Sequence, residues 1–425
     1  MRVLAADIKK HLNNEIEISG WVHRTRDLGK VSFIILRDRS GMVQIVFDRK
    51  PELTNESVIT VRGTVKENEK APGGLEVYAD IGNITLLAKA EPELPIPVNQ
   101  DPARLSLDAI LDNRFISLRI PKLKDIFRLQ AAILQYFAEH MRSESFTEIK
   151  TSKLIGTGTE GGTGLFTVEY FDNKVYLAQS PQFYKQAMIS SGMERVFEIG
   201  PAYRAEKHDT PRHLNEYVSL DVEMAFIGSE HDLMDLEQRI LKYIFKKIKE
   251  TNRDILESWH AAVPDPAEID KIPRISHDEA REIISDKQER RVFEINPEGE
   301  RILCNWALSK HGVDAVFVNA FPRKKRPFYT YPVDQKTMSF DLLFRGLEIT
   351  TGGRRINDYT MLLEALPKFG LTPEGVGDYI QIFKYGCPPH GGFAIGLERF
   401  TQQILGLSNV KEASLFPRDR KRVRP

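Results

Sequence analysis

Residues 197–226, FEIGPAYRAEKHDTPRHLNEYVSLDVEMAF, constrain this chain more than any other stretch. Both ends alternate apolar and polar residues, the period of half-buried strands. A polar segment, residues 205–216, lies between them. The pattern predicts a long antiparallel hairpin, with Arg204 ending its first strand and Arg212 and His213 in its loop. A strand fixes where an arginine fork points, and the fork fits carboxylate or phosphate oxygens two at a time. By itself the hairpin fits surface ion pairs equally well.

Overall charge does not decide between these uses. Lys+Arg and Asp+Glu each number 60, so a nucleic-acid partner would need local basic patches. The 425 residues are 41% hydrophobic and 28% charged, which suits a globular chain of two or three domains. Cys304 and Cys387 are too few for a disulfide framework or a structural zinc site. The N-terminal MRVLAADIKKHL lacks a signal-peptide core, and no apolar run reaches bilayer length. The expectation is a cytoplasmic protein with no membrane partner.

Residues 13–88 read as a small β domain. Five β-rich runs, residues 15–22, 31–37, 42–47, 58–65 and 75–87, are separated by Gly and polar turns. Five short strands in this length suit an OB-type barrel, which often binds oligonucleotides. An exposed Phe33 could stack an unpaired base and Gln44 could bond its edge, although core packing is the simpler reading for Phe33. Residues 91–102 carry Pro92, Pro95, Pro97 and Pro102 and form a stiff linker.

A short helical entry, residues 111–119, precedes an amphipathic helix over 124–142. Residues 156–166, GTGTEGGTGLF, lack the Walker lysine and suit a mobile lid with Glu160 as its charged contact. Residues 179–191 start a helix on which Gln182 and Lys185 are neighbours; solvation is the ordinary fate of such a lysine. Another amphipathic helix covers 231–250. Residues 251–330 predict helices and a strand at 315–318, with no legible chemistry. Residues 339–345 are strand-like, and residues 347–355, LEITTGGRR, carry Glu348 as a possible metal ligand, with Thr351 in support. Gly352 and Gly353 would let the backbone turn Arg355 inward. Arg399 lies early in the last helix, and with Arg204 it could clamp a triphosphate across an open sheet.

Together these segments resemble a class II aminoacyl-tRNA synthetase. Tyr203-Arg204-Ala205-Glu206 with Arg212-His213-Leu214 resembles motif 2 of the class. Gly396-Leu397-Glu398-Arg399 resembles motif 3, and residues 124–155 resemble motif 1, which builds a dimer interface. QSPQFYKQ, YRAEKHDTPRHLNE, PPHGGFAIGLER and LFPRDR are similar to aspartyl-tRNA synthetases of the archaeal and eukaryotic type. The resemblance implies an α+β fold. Residues 1–90 would be an OB-fold anticodon-binding barrel, 91–120 a hinge, and 121–425 a catalytic domain with an antiparallel sheet flanked by helices. It also implies no eukaryotic-style extension and no bacterial insertion domain. Ser152 stands where the family has proline, and Gly164 replaces the second Glu of the lid motif.

The family resemblance further implies two steps: aspartate's carboxylate attacks the α-phosphorus of ATP, and the tRNA's terminal ribose takes the aspartyl group from the adenylate. No protein nucleophile is needed; alignment and charge neutralisation are. Arg204 would bridge aspartate and α-phosphate, and Arg399 would hold the γ-phosphate. Ala205, Glu206, Arg212, His213, Leu214, Gly396, Leu397 and Glu398 would surround the nucleotide. Glu348 would bind Mg²⁺ with help from Thr351. Glu160, Gln182, Phe183, Tyr184 and Thr351 would surround aspartate, and Lys185 and Arg355 would pair with its side-chain carboxylate. Neutral asparagine would then leave two buried cations uncompensated, at about 3–5 kcal/mol.

In the barrel, the resemblance implies that Phe33 stacks the central anticodon base while Gln44 and Glu76 contact the anticodon. Members restricted to tRNA(Asp) tend to carry Trp and Lys where this chain has His23 and Pro72; relaxed members carry His and Pro. The expectation is a homodimer that aspartylates tRNA(Asp) and tRNA(Asn), with a tRNA-dependent amidotransferase downstream. Neutral variation at these two positions is the alternative. An asparaginyl-tRNA synthetase is another, favoured by Ile356-Asn357-Asp358-Tyr359 and opposed by Lys185. A non-catalytic RNA-binding paralogue is opposed by Arg204, Arg399 and Glu348, and an asparagine synthetase relative by the barrel.

Overall fold

The computed structural model describes residues 2–29, 31–158 and 164–425. The chain divides into two compact units, Met1–Ile120 and Pro121–Pro425.

In the first unit, strand Glu15–Asp27 pairs with both Ser32–Arg37 and Val58–Glu67. Met42–Phe47 and Leu75–Tyr78 complete the circuit, so five strands close in the order 1-2-3-5-4-1 of an OB barrel. Alternation fills the inside: Ile16, Ile18 and Val22, then Ile34 and Leu36, are fully or almost fully buried. The fifth predicted run is two strands. The turn Ile81–Asn83 interrupts it, and Ile84–Ala88 pairs outside the circuit with Val58–Glu67. The proline-rich residues 91–101 form no helix or strand. The helical entry is two short helices, Leu107–Asp112 and Arg114–Ser117.

The second unit is built on a sheet of eight strands among the described residues. Its order is Arg274–Ser276, Ala315–Asn319, Ser339–Phe344, Leu347–Arg354, His390–Gly396, Glu216–Ala225, Arg195–Tyr203 and Thr147–Glu148. The six inner strands are antiparallel, whereas the first and last pair parallel to their neighbours. The predicted hairpin is the pair Arg195–Tyr203 and Glu216–Ala225, in register from Arg195↔Met224 to Tyr203↔Glu216.

Two long helices follow their apolar periods. Pro121–Ser143 buries Ile126, Leu129, Ile133, Phe137 and Met141 completely. Glu230–Thr251, started by a Ser229–Asp232 capping box, buries Leu233, Leu236, Ile240, Ile244 and Ile248. Phe245 meets Phe344 and Phe400 with ring centroids 5.9 and 5.6 Å away, joining this helix to the sheet and to helix Leu397–Leu405. Ser152 closes a local turn, its hydroxyl donating to the Leu154 carbonyl at 2.8 Å.

Candidate active site

Strand alternation builds the site floor. Along Glu216–Ala225, Leu220 and Val222 are fully buried, while Tyr217, Ser219 and Asp221 line a cleft. The cleft has a larger end and a smaller adjoining chamber. Arg204, Tyr217, Ser219, Thr351 and Ala394 border both, so Arg204 stands where the two compartments meet. Its backbone N–H donates to the Asn215 carbonyl at 2.8 Å, and its guanidinium lies 5.7 Å from the centre of the Tyr217 ring.

The larger end contains Arg399, Arg212, Glu206, His213, Leu214, Gly396, Glu398 and Glu348. Arg399 Nε donates to the Arg212 carbonyl at 3.2 Å, and Nη1 to the Glu348 carbonyl at 3.1 Å. Arg212 pairs with Glu300. Burial lowers the His213 pKa, and nearby Arg399 adds to that. Ala205 and Leu397 do not line the cleft. Leu397 is buried, and the Ala205 N–H donates to the Gly164 carbonyl at 3.1 Å. Glu398 works from below: its carboxylate accepts the Val218 N–H, and burial pushes its pKa up to about 7.

Three polar side chains, Thr351, Asp341 and Glu348, meet beside the cleft. The Thr351 hydroxyl lies 2.9 Å from Asp341 Oδ1 and 3.2 Å from Glu348 Oε1. Burial pushes the Asp341 carboxyl up to about 6, with Arg326 opposing and Glu348 reinforcing. Two crowded carboxylates beside the cleft fit Mg²⁺, a cation that is ordinarily held by one or two carboxylates together with water and phosphate oxygens. Among the described residues, no group of three or more His, Cys, Asp or Glu could hold a metal. Sequence reasoning missed Asp341. Its signal was the register that sets it opposite Thr351 on the paired strand.

The smaller chamber overturns the solvated reading of Lys185, which is 1% exposed. Its Nζ lies 2.9 Å from Asp221 Oδ1 and 3.3 Å from Glu223 Oε2. Arg355 Nε donates to Glu223 Oε1 at 3.1 Å; Nη2 reaches Gln182 Oε1 at 3.1 Å and the Gly392 carbonyl at 2.9 Å. Gly392 must be glycine: a Cβ there would stand 2.0 Å from the Val222 carbonyl oxygen. Burial raises the Glu223 pKa, but Arg355 and Lys185 outweigh it and hold the carboxyl below its usual range.

This geometry corrects two expectations. The two cations already face Asp221 and Glu223, so asparagine would not leave them bare. Phe183 and Tyr184 do not line the chamber. Gln182, Lys185 and Gln186 share the inner face of helix Gln182–Met188, and helical spacing turns Phe183 and Tyr184 to a neighbouring groove. There Phe183 stacks on Tyr379 at 3.9 Å. Glu160 lies outside the described residues.

On the barrel, Phe33 is half-buried and absent from the core, on the face opposite Ile34 and Leu36. Gln44 is cross-strand from Ile35 and donates to Glu76 at 2.9 Å. His23 sits at a register shift and is held inward, with Nδ1 2.8 Å from Arg37 Nη1. Arg37 and Arg119 both pair with buried Glu56, at 2.7 and 3.1 Å. Sequence reading did not see this cluster. Pro72 opens a turn, Pro72–Gly74, before the fifth barrel strand.

Two family models match: tRNA synthetases class II (D, K and N) over residues 106–420, and the OB-fold nucleic acid binding domain over residues 16–82. The chain is 47% identical to the aspartate–tRNA(Asp/Asn) ligase of Thermus thermophilus, covering 100% of both chains. It is 40% identical to the aspartate–tRNA(Asp) ligase of Pyrococcus abyssi, covering 99% of both. Among solved structures, an asparaginyl-tRNA synthetase from Pyrococcus horikoshii complexed with asparaginyl-adenylate superposes with a TM-score of 0.91 at 29% identity over 100% of both chains. A putative aspartyl-tRNA synthetase from Leishmania major gives 0.90 at 28% identity, over 100% of this chain and 95% of that one. With the sheet, the arginine-bordered cleft and the barrel in agreement, the chain belongs to the class II tRNA synthetases of the D, K and N group.

Proposed function

We propose that this enzyme attaches L-aspartate to tRNA(Asp) and to tRNA(Asn) through an aspartyl-adenylate. One observation carries the chemistry: Arg204 borders both compartments of a continuous cleft. An arginine at that junction can hold the attacking carboxylate and the α-phosphate together, which supplies alignment and charge neutralisation. Arg399 and Arg212 take the distal phosphates of ATP. Glu348, Asp341 and Thr351 would hold Mg²⁺, which would neutralise phosphate charge when bound.

Aspartate enters the smaller chamber. Asp221 lines it and accepts the substrate ammonium. That releases part of the Asp221 charge from Lys185, and Lys185 and Arg355 turn to the side-chain carboxylate. Selection against asparagine therefore depends on directed donors as well as on charge.

The relaxed tRNA choice is supported by His23 and Pro72 and by the relatives named as Asp/Asn ligases. Residues 1–90 read the anticodon with Phe33, Gln44 and Glu76, and residues 91–120 act as the hinge. The enzyme works in the cytoplasm as a homodimer formed along the motif 1 region, and an amidotransferase converts Asp-tRNA(Asn). No helix of the described residues is long and apolar enough to cross a membrane. Labelled aspartate with tRNA(Asp) and tRNA(Asn) transcripts tests the proposal. Both should be charged; failure on tRNA(Asn) removes the relaxed part, and failure on both removes the whole.

A further inference from the structure

Behind the chamber lie His390, Gln186 and Tyr379, buried polar groups that the proposed reaction does not use. We infer that His390 and Gln186 are positioning residues for amino-acid selection, fixing the direction of the Gln182 amide and through it the aim of Arg355. The inference rests on the reading of the chamber as an aspartate site.

The chain of hydrogen bonds has one self-consistent direction. His390 Nδ1 lies 2.8 Å from the Pro388 carbonyl oxygen. A carbonyl only accepts, so Nδ1 carries the proton. The ring is fully buried, which favours its neutral form, and Nε2 therefore presents a lone pair. Gln186 Nε2, 2.8 Å away, must donate to it. Gln186 Oε1 is left as an acceptor, and it receives the Tyr379 hydroxyl at 3.0 Å and Gln182 Nε2 at 3.2 Å. Gln182 Nε2 also faces Glu223 Oε2 at 3.3 Å. Only Gln182 Oε1 remains for Arg355 Nη2.

Reversing either amide sets like against like. A turned Gln186 would aim an oxygen at the His390 lone pair and an NH₂ at Gln182 Nε2. A turned Gln182 would aim an NH₂ at the guanidinium and an oxygen at the Glu223 carboxylate. All six side chains are less than a tenth exposed, so bulk water cannot repair such mismatches. His390 does not line the chamber, yet its tautomer decides which hydrogen bonds Arg355 can make there.

Aspartate-dependent pyrophosphate exchange by the full-length enzyme tests this. Gln186→Met should raise KM for aspartate about tenfold and lower the aspartate-over-asparagine preference alike, since a hydrogen bond to a charged group is disturbed. KM for ATP and kcat should stay within about twofold, because the damage is confined to ground-state amino-acid binding. His390→Leu should reproduce this pattern. His390→Gln keeps an acceptor for Gln186 and should hold KM for aspartate within about threefold of wild type. Should Gln186→Met fail to fold, the two His390 variants make the same comparison. An unchanged KM and preference in Gln186→Met and His390→Leu would overturn the inference, as would equal losses in His390→Leu and His390→Gln. A wild-type enzyme that does not exchange with aspartate overturns the functional reading itself, and this inference with it.

Discussion

Arg399 and Glu348 hold one another: Arg399 Nη1 lies 3.1 Å from the Glu348 carbonyl oxygen and 3.6 Å from its carboxylate. The arginine meant for phosphate and the carboxylate meant for a cation are thus mutual partners, which a bound triphosphate and its cation would exchange for themselves. Arg399→Ala should raise KM for ATP by about 10- to 100-fold, the loss expected for one charge-assisted contact. KM for aspartate should change much less. Steady-state exchange kinetics decide it, and a larger effect on aspartate would contradict the assignment.

Glu223 is gripped by Arg355 and Lys185 with no exposed atom to spare. Glu223→Gln removes one charge of a buried network and leaves its cations under-paired. A loss of about 3–5 kcal/mol of stability is expected. Urea unfolding of the variant measures it; a midpoint equal to wild type would mean the network is solvated in solution.

Glu237 lies on helix Glu230–Thr251, fully buried, with no hydrogen bond of good geometry to either oxygen. Burial pushes its pKa up to about 8, opposed by Thr350 and reinforced by Asp341. The folded state therefore keeps a proton that the unfolded chain releases. Stability should fall as pH rises from the usual carboxyl range to about 8, by about 1.4 kcal/mol per pH unit from this group. Glu237→Gln should flatten that part of the slope. Denaturation midpoints at pH 5 and pH 8 give the comparison, and an equally steep variant would refute it.

Glu56 titrates in the opposite sense. Burial would raise its pKa, but His23, Arg37 and Arg119 outweigh burial and bring it down to about 2. Its contribution is present above the ordinary carboxyl pKa and lost as pH falls towards 2. Glu56→Gln should destabilise the chain by about 3–5 kcal/mol at neutral pH and narrow its acid dependence. An acid-unfolding series on both proteins checks this; coincident curves would speak against the cluster.

Motif-bearing residues were legible because motif spacing is local. Arg204, Arg212, His213, Glu348 and Arg399 all reach one cleft. Partners supplied by register or by distant helices were not. Asp341 enters through cross-strand pairing with Thr351, and Glu300 comes from a helix in a stretch whose chemistry was silent. Phe183 and Tyr184 adjoin Gln182 and Lys185 in the sequence, but helical spacing points them to a separate groove.

Periodicity in the sequence determined the barrel strands, the hairpin and the two long amphipathic helices, because burial of one face is a local pattern repeated along the chain. The order of eight sheet strands and the burial of Lys185 against Asp221 and Glu223 were decided only by the tertiary structure. So was the direction of the hydrogen bonds from Pro388 to Arg355. The physical reason is that a charge or an amide is inert on a polar stretch of sequence. It gains a fixed partner, a shifted pKa or a single orientation only when folding brings remote groups together and removes the water between them.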